Sequence, residues 1–192
     1  DRDFNLSKNE LALISTVSKA FQEAGKKAVV ILNIGGVIET ASWKNIPDAA
    51  LLAGQAGQEG GNTIADALSG KVNPSGKLTA TYPIKFEDHW PSENFPSTAE
   101  EQKLDMGGFM SAERKVSNKR RNVDYTVYAE GIYVGYRYFD KYEVPVSYPF
   151  GYGKSYTTFE YSGAKLNESN GEYTVTVSIK NTGDYAGKEV VQ

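Results

Sequence analysis

Residues 28–34 constrain the fold most, because they form a continuous apolar run rich in β-branched side chains. Such a run predicts a strand of a parallel sheet that is covered on both faces, where the alternation of a half-exposed strand is lost. Before it, Ser7 and Glu10 have the spacing of a capping box, and apolar residues then recur at helical spacing until Gly25. We therefore expect an amphipathic helix over residues 8–24 that leads into this strand.

The same alternation of helix and strand continues along the chain. A short helical segment is expected at residues 39–44, a second buried strand at 49–53, a helix at about 59–68 and a third strand at 78–82. Strand, helix, strand, helix, strand predicts an α/β fold with a mostly parallel, flavodoxin-like layer and right-handed connections.

Residues 84–123 interrupt this pattern, since they are polar and have no strong period. They contain a basic cluster formed by Arg114, Lys115, Lys119, Arg120 and Arg121. The cluster fits either a contact with a polyanion or a solvated loop, and we favour the loop because no aromatic platform is interleaved. His89 lies in the same irregular segment, so we expect a surface histidine rather than a catalytic base.

The next part of the chain, from residue 125 to 161, is dense in tyrosine and phenylalanine. These rings fit either a sugar-stacking surface or packing between two layers, and we favour packing. After it, residues 172–179 alternate strictly between polar and apolar, 181–184 predict a turn and 188–192 predict the start of another strand. An antiparallel β-sandwich is therefore expected from residue 155 onward, and it is incomplete because such a sandwich needs about 100 residues.

Composition limits the chemistry that the chain can perform. With 21 Lys and Arg against 24 Asp and Glu, there is no global basic field, which argues against nucleic-acid or membrane-surface partners. The absence of cysteine and the single histidine exclude disulfides, thiolate nucleophiles and His clusters. Catalysis would then depend on carboxylates. The candidates in apolar or glycine-rich surroundings are Glu39, Glu59 and Glu130. Their spacing in the sequence does not indicate that any two of them act as a catalytic pair.

The glycine-rich segment at residues 54–62 lies between a predicted strand and a predicted helix, where phosphate-binding loops occur. It lacks the Lys-Ser/Thr pair of a Walker loop and the G-x-G-x-x-G spacing, and Glu59 would repel a phosphate. Residues 151–153 fail the dinucleotide pattern as well. We interpret the glycines as allowing a tight turn and a close approach of helix to sheet, and we predict no cofactor and no metal.

Six segments in order along the chain resemble the C-terminal half of a glycoside hydrolase family 3 β-glucosidase. They are KAVVILNIG (27–35), AGQAGQE (53–59), GKVNPSGKL (70–78), EGIYVGYRYFD (130–140), YPFGYGKSYTTF (148–159) and VSIKNTGDYAGKEV (177–190). The resemblance implies a C-terminal α/β sandwich domain over residues 1–154, lacking its first strands, and the start of a fibronectin type III-like β-sandwich over residues 155–192.

The resemblance also implies the mechanism of the parent enzyme, a retaining, exo-acting hydrolase of terminal β-D-glucosidic bonds. Such an enzyme takes its nucleophilic aspartate from a barrel domain and its acid/base glutamate from a loop that precedes the helix expected at residues 8–24. The chain contains no Ser-Asp-Trp-like nucleophile motif, and Asp1-Arg2 would be only the tail of the acid/base loop. None of Glu10, Glu39, Glu59 and Glu130 aligns with the acid/base, so we assign no catalytic residue and expect the segment alone to be inactive.

Other functions remain open at this level. The parent could have another family 3 specificity such as β-xylosidase, or the chain could be a stand-alone carbohydrate-binding module or a nucleotide-binding flavodoxin-like domain. The expected partners are a β-linked oligosaccharide or glucoside, the barrel domain and a second copy in a homo-oligomer. The resemblance leaves the location open between a periplasmic or secreted parent and a cytoplasmic one.

Overall fold

A computed structural model describes residues 4–94 and 130–192 of the chain. Its elements, in order, are α1 (Lys8–Glu23), β1 (Val29–Leu32), β2 (Ala49–Leu52), α2 (Gly60–Leu68), β3 (Tyr82–Pro83), two 3₁₀ turns (Phe86–Asp88 and Trp90–Asn94), α3 (Tyr136–Lys141), β4 (Val146–Tyr148), β5 (Phe159–Ser169) and β6 (Glu172–Asn181). The basic cluster at Arg114–Arg121 and the terminal Asp1-Arg2 lie outside the described residues.

Helix α1 begins at the capping box that the sequence predicted. The Ser7 hydroxyl accepts a hydrogen bond from the Glu10 amide at 3.2 Å, and the Glu10 carboxylate accepts one from the Ser7 amide at 2.7 Å. The hydrogen bond with the Ser7 side chain, together with that from the Ser7 amide, lowers the pKa of Glu10. The helix ends one residue before the predicted boundary, and Gly25 then turns the chain with a φ of 68°. Both ends therefore follow from local sequence signals.

Strands β1 and β2 form a two-stranded parallel sheet in which Val29 pairs with Ala49 and Leu32 pairs with Leu52. The expectation that residues 28–34 would be covered on both faces is not met within the described residues, since Val29 is 43% and Ile31 41% exposed. Burial on both faces needs a layer on each side of the sheet.

The third predicted strand, at residues 78–82, differs from the expectation in both length and partner. Only Tyr82–Pro83 is a strand, and it pairs antiparallel with β4, where Tyr82 lies opposite Tyr148. Leu78 exchanges backbone hydrogen bonds with residues 151 and 152 instead, each at 2.8 Å. A segment distant in sequence thus supplies the hydrogen-bonding partners, which no local pattern reveals.

The helical segment expected at residues 39–44 is a single turn, in which the Lys44 amide donates to the Thr40 carbonyl at 2.9 Å. A proline at position 47 opposes a longer helix. The turn is buried against β4: Trp43 is 1% exposed, and the hydroxyls of Thr40 and Ser147 lie 2.7 Å apart. The buried hydrophobic side chains of the described residues include Trp43, Tyr82, Phe139 and Ala28, and Pro83 is fully buried as well.

The C-terminal part contains the hairpin β5–β6, paired from Phe159 opposite Asn181 to Ser169 opposite Glu172. This confirms the strand predicted at residues 172–179. The strand predicted at 188–192 does not form in the described structure, where no neighbouring strand pairs with it. The proposed boundary between two domains near residue 155 stays a prediction.

Candidate functional site

A depression of about 300 Å³ lies at the carboxyl ends of the parallel strands β1 and β2. Three segments form its walls: residues 34–37 after β1, residues 52–55 at the end of β2, and the segment 78–82. The Leu32 carbonyl draws the two strand ends together, since it accepts hydrogen bonds from the amides of Ala53 and Gly54 at 2.9 and 3.2 Å. Crevices at the carboxyl ends of strands are where open α/β sheets bind ligands.

The chemistry of this depression suits binding rather than bond cleavage. Its walls are apolar or glycine, apart from the polar groups of Gln55, Thr79 and Tyr82. Burial raises the pKa of the Tyr82 hydroxyl above its ordinary value. None of the described lining residues carries a carboxylate. These walls can therefore contact a small polar molecule, but they supply neither a nucleophile nor a proton donor of the kind that glycoside hydrolysis uses.

The carboxylates that the sequence singled out lie in separate local structures. Glu39 is buried and accepts hydrogen bonds from the amide and hydroxyl of Ser42, both at 2.7 Å. Glu59 precedes α2 and accepts a hydrogen bond from the Asn62 amide group at 2.6 Å. Glu130 precedes α3, and its backbone carbonyl accepts a hydrogen bond from the Tyr133 amide at 2.9 Å. Glu39 and Glu59 thus stabilise their own turns, and the expectation that none of the three is catalytic stays a prediction.

The glycine-rich segment at residues 54–62 has the geometry of a tight turn. Gly54 and Gly57 adopt φ values of 60° and 71°, which residues with a side chain rarely adopt. A Cβ at Gly60 would lie 3.0 Å from the Ala56 Cβ, so the helix start lies close against the preceding loop. This geometry explains Gly54, Gly57 and Gly60 without a bound phosphate.

The aromatic residues around α3 pack mainly against one another. Trp90 contacts Tyr138 and Tyr142 with ring centroids 5.7 and 6.1 Å apart. His89 lies edge-on to Phe139 at 5.3 Å, and burial lowers its pKa even though Asp88 opposes the shift. His89 is thus half-buried beside an aromatic ring rather than fully at the surface, as the sequence had suggested. These contacts favour the packing interpretation of the tyrosine-rich segment.

Within the described residues, the structure contains neither a cluster suited to a metal ion nor a helix suited to crossing a membrane. No group of three or more His, Asp or Glu side chains among them is placed to hold a metal ion. No helix in residues 4–94 and 130–192 has both the length and the apolar character to cross a membrane.

Comparison with known proteins identifies the family. The family model described as "Glycosyl hydrolase family 3 C-terminal domain" matches residues 1–136. The chain belongs to glycosyl hydrolase family 3. This confirms the family resemblance seen in the six sequence segments, together with the α/β fold class.

Relatives and solved structures of family 3 cover nearly the whole chain. The chain is 36% identical to β-glucosidase BoGH3A of Bacteroides ovatus, over 91% of the chain and 21% of that protein. It is 35% identical to an exo-α-(1→6)-L-arabinopyranosidase of Bifidobacterium longum, over 100% of the chain and 22% of that protein. The structure of β-glucosidase 3B from Thermotoga neapolitana in complex with glucose superposes with a TM-score of 0.78 at 45% identity, covering 97% of the chain and 23% of that protein. The chain thus spans about a fifth of the length of the family 3 enzymes that it matches.

Sequence reasoning missed the depression at the strand ends, although a signal for it was present. The first two predicted parallel strands are each followed by glycine, at Gly35-Gly36 after the first and at Gly54 after the second. Because the carboxyl ends of parallel strands meet at one edge of a sheet, glycine-containing loops there mark a ligand crevice. The third wall had no such signal, since it depends on the pairing of residues 78–83 with residues 146–152.

Proposed function

We propose that this chain is the part of a retaining, exo-acting family 3 β-glucosidase that forms one wall of the sugar site. The depression of about 300 Å³ at the carboxyl ends of β1 and β2 carries this proposal, because it offers apolar surface and a few polar groups but no carboxylate. The nucleophile and the acid/base would then come from parts of the parent enzyme outside this chain.

The chemistry of retention explains why the segment alone would be inactive. A retaining glycosidase places two carboxyl groups about 5–5.5 Å apart, one attacking the anomeric carbon and the other protonating the leaving oxygen and then activating water. Glu39 and Glu59 hydrogen-bond within their own turns and face no second carboxylate in the contacts of the described residues. β-Glucosidase names among the relatives favour a terminal β-glucoside as substrate over other family 3 specificities such as β-xylosides.

The first arm of the test measures turnover of an aryl β-glucoside by the purified 192-residue chain. We expect none above the buffer rate. Clear turnover that disappears in Glu59→Gln or Glu130→Gln would place the catalytic carboxylates in this chain and overturn the proposal.

The second arm fills the depression in the parent enzyme with Gly36→Phe. A Cβ at Gly36 meets no atom within 4 Å, so the substitution starts without a clash at the backbone, and the ring would occupy space at the wall. We expect KM for the aryl glucoside to rise by about tenfold or more, a loss of about 1.4 kcal/mol of binding free energy. The matched control is Gly61→Phe, where a Cβ also meets no atom within 4 Å but the residue lies on α2, outside the depression. Unchanged kinetics in Gly36→Phe would show that the depression is not part of the sugar site.

A further inference from the structure

The hairpin β5–β6 lacks the burial that would make it stable by itself. All but two of its residues are exposed, and its strands pair only with each other among the described residues. An isolated two-stranded hairpin is marginally stable at best in water. Contacts outside the hairpin must therefore contribute to holding it folded.

The largest set of such contacts converges on residues 73–77, which we call the docking loop. The Asn73 side-chain oxygen accepts hydrogen bonds from the Ser155 hydroxyl at 2.9 Å and from the Tyr156 amide at 2.8 Å. Its side-chain nitrogen donates to the Ala186 carbonyl at 2.9 Å. One asparagine thus joins the segment that enters the hairpin to the segment that leaves it.

The second contact of the docking loop is a shielded ion pair. The Lys77 ammonium lies 3.2 Å from a Glu189 carboxylate oxygen and donates to the Gly153 carbonyl at 2.9 Å. The Lys77 and Glu189 side chains are only 17% and 12% exposed, whereas those of the surface pair Lys71 and Asp66 are 71% and 33% exposed. Removing one partner of a shielded pair leaves the other charge uncompensated, which costs more than the loss of a surface pair.

Glu189 is held in its ionised form beside the docking loop. Removal from water raises the pKa of Glu189, but the interactions with the Lys77 ammonium and with the Tyr161 side chain of β5 outweigh this and hold the pKa below its ordinary value. The ionised carboxylate is therefore the form that pairs with Lys77.

Glycines allow the docking loop and the segments on either side of the hairpin to approach each other closely. A Cβ at Gly153 would collide with the Gly76 carbonyl oxygen. A Cβ at Gly187 would lie 2.8 Å from the Thr157 methyl carbon and 3.0 Å from the Asn73 side-chain nitrogen. The fit is therefore close on both the loop side and the hairpin side.

We propose that the docking loop is a latch that keeps the β5–β6 unit folded against the α/β layer, with the Lys77–Glu189 pair as its decisive contact. Opening of the latch releases the hairpin as one unit while α1, β1 and β2 stay folded, because none of these elements contributes to the contacts above. Such partial opening of a contiguous unit is a general property of native proteins.

Hydrogen exchange followed by mass spectrometry on the full chain tests this proposal. The variants are Glu189→Gln, which keeps the size of the side chain but removes its charge, and Lys77→Met. The control is Asp66→Asn, which breaks the exposed pair with Lys71. We expect Glu189→Gln and Lys77→Met to accelerate exchange about tenfold or more in peptides from β5 and β6, and Asp66→Asn to leave these peptides unchanged.

Two outcomes would overturn the latch. In the first, β5 and β6 keep their protection in both variants. In the second, α1 and β1 lose protection as much as the hairpin does, which would indicate a global loss of stability.

Discussion

At the scale of single residues, Asp48 joins three segments of the α/β layer. Its carboxylate accepts hydrogen bonds from the Ala28 amide at 3.0 Å, the Lys27 ammonium at 2.8 Å and the Gln22 side chain at 3.3 Å. The Ala28 amide is the main cause of a fall in the pKa of Asp48 from 3.8 to about 2, with Lys27 next. One carboxylate therefore ties the end of α1 and the start of β1 to the start of β2.

This arrangement predicts a pH dependence of stability. Because the pKa of Asp48 is lower in the folded chain than in the unfolded chain, the carboxylate stabilises the fold above pH 3.8, and this contribution disappears as the pH falls through about 2. We expect Asp48→Asn to lower the Tm at pH 7, with the difference from wild type shrinking below pH 4 and closing near pH 2. Thermal unfolding followed by circular dichroism at each pH measures this difference in Tm.

The control for Asp48 is Glu23→Gln, which removes the exposed pair between Lys19 and Glu23 on α1. Surface pairs of this kind contribute little, so the Tm should stay within experimental error at every pH. A difference between Asp48→Asn and wild type that persists unchanged to pH 2 would contradict the assigned role of the carboxylate.

At the scale of elements, α1 illustrates how far local signals reach. The start of the helix depends on Ser7 and Glu10 and its end on Gly25, all of which act within a few residues. The third strand shows the opposite case. Residues 78–82 have the composition of a buried strand, but their backbone partners lie about 70 residues further along the chain, and of these five residues only Tyr82 is in a strand.

The capping box at the start of α1 predicts a measurable cost of mutation. Ser7→Ala removes the acceptor of the Glu10 amide, and we expect a loss of about 1 kcal/mol in the free energy of unfolding. The control is Ser15→Ala on the same helix, where the hydroxyl only returns a hydrogen bond to the Leu11 carbonyl and alanine is the better helix former. Urea denaturation compares the two variants. Equal stability of Ser7→Ala and wild type would show that the box contributes nothing to the fold.

At the scale of the whole molecule, apolar side chains of the described residues are exposed on the hairpin and on the parallel sheet. On the hairpin, Leu166 and Val175 lie opposite each other and are 65% and 71% exposed. On the parallel sheet, Val29 and Ile31 are partly exposed as well. Contiguous apolar surface and unpaired strand edges promote association.

We therefore expect the isolated chain to associate at micromolar concentrations, as measured by sedimentation velocity. Val175→Lys should shift the distribution toward the monomer because it places a charge on the apolar face of the hairpin. Thr174→Lys is the matched control, since the neighbouring residue of a strand points to the opposite face. A wild-type chain that sediments as a single monomeric species would contradict this expectation.

The sequence alone determined the family and those helices and strands whose signals are local. The capping box of α1, the β-branched run of β1 and the alternation of β6 each act over a few residues. The ends of α1 could therefore be predicted within one residue and those of β1 and β6 within two. The six segments that resemble family 3 also needed only the order of residues.

Only the tertiary structure decided which segments meet. The depression needs residues 34–37, 52–55 and 78–82 together, and the latch needs Asn73 and Lys77 beside residues 153–156 and 186–189. Burial in the tertiary structure also decided that Glu39 stabilises its own turn and that Lys77 and Glu189 form a pair shielded from solvent. The physical reason is that such contacts depend on packing between segments far apart in the chain, while the local pattern reports only the nearest neighbours.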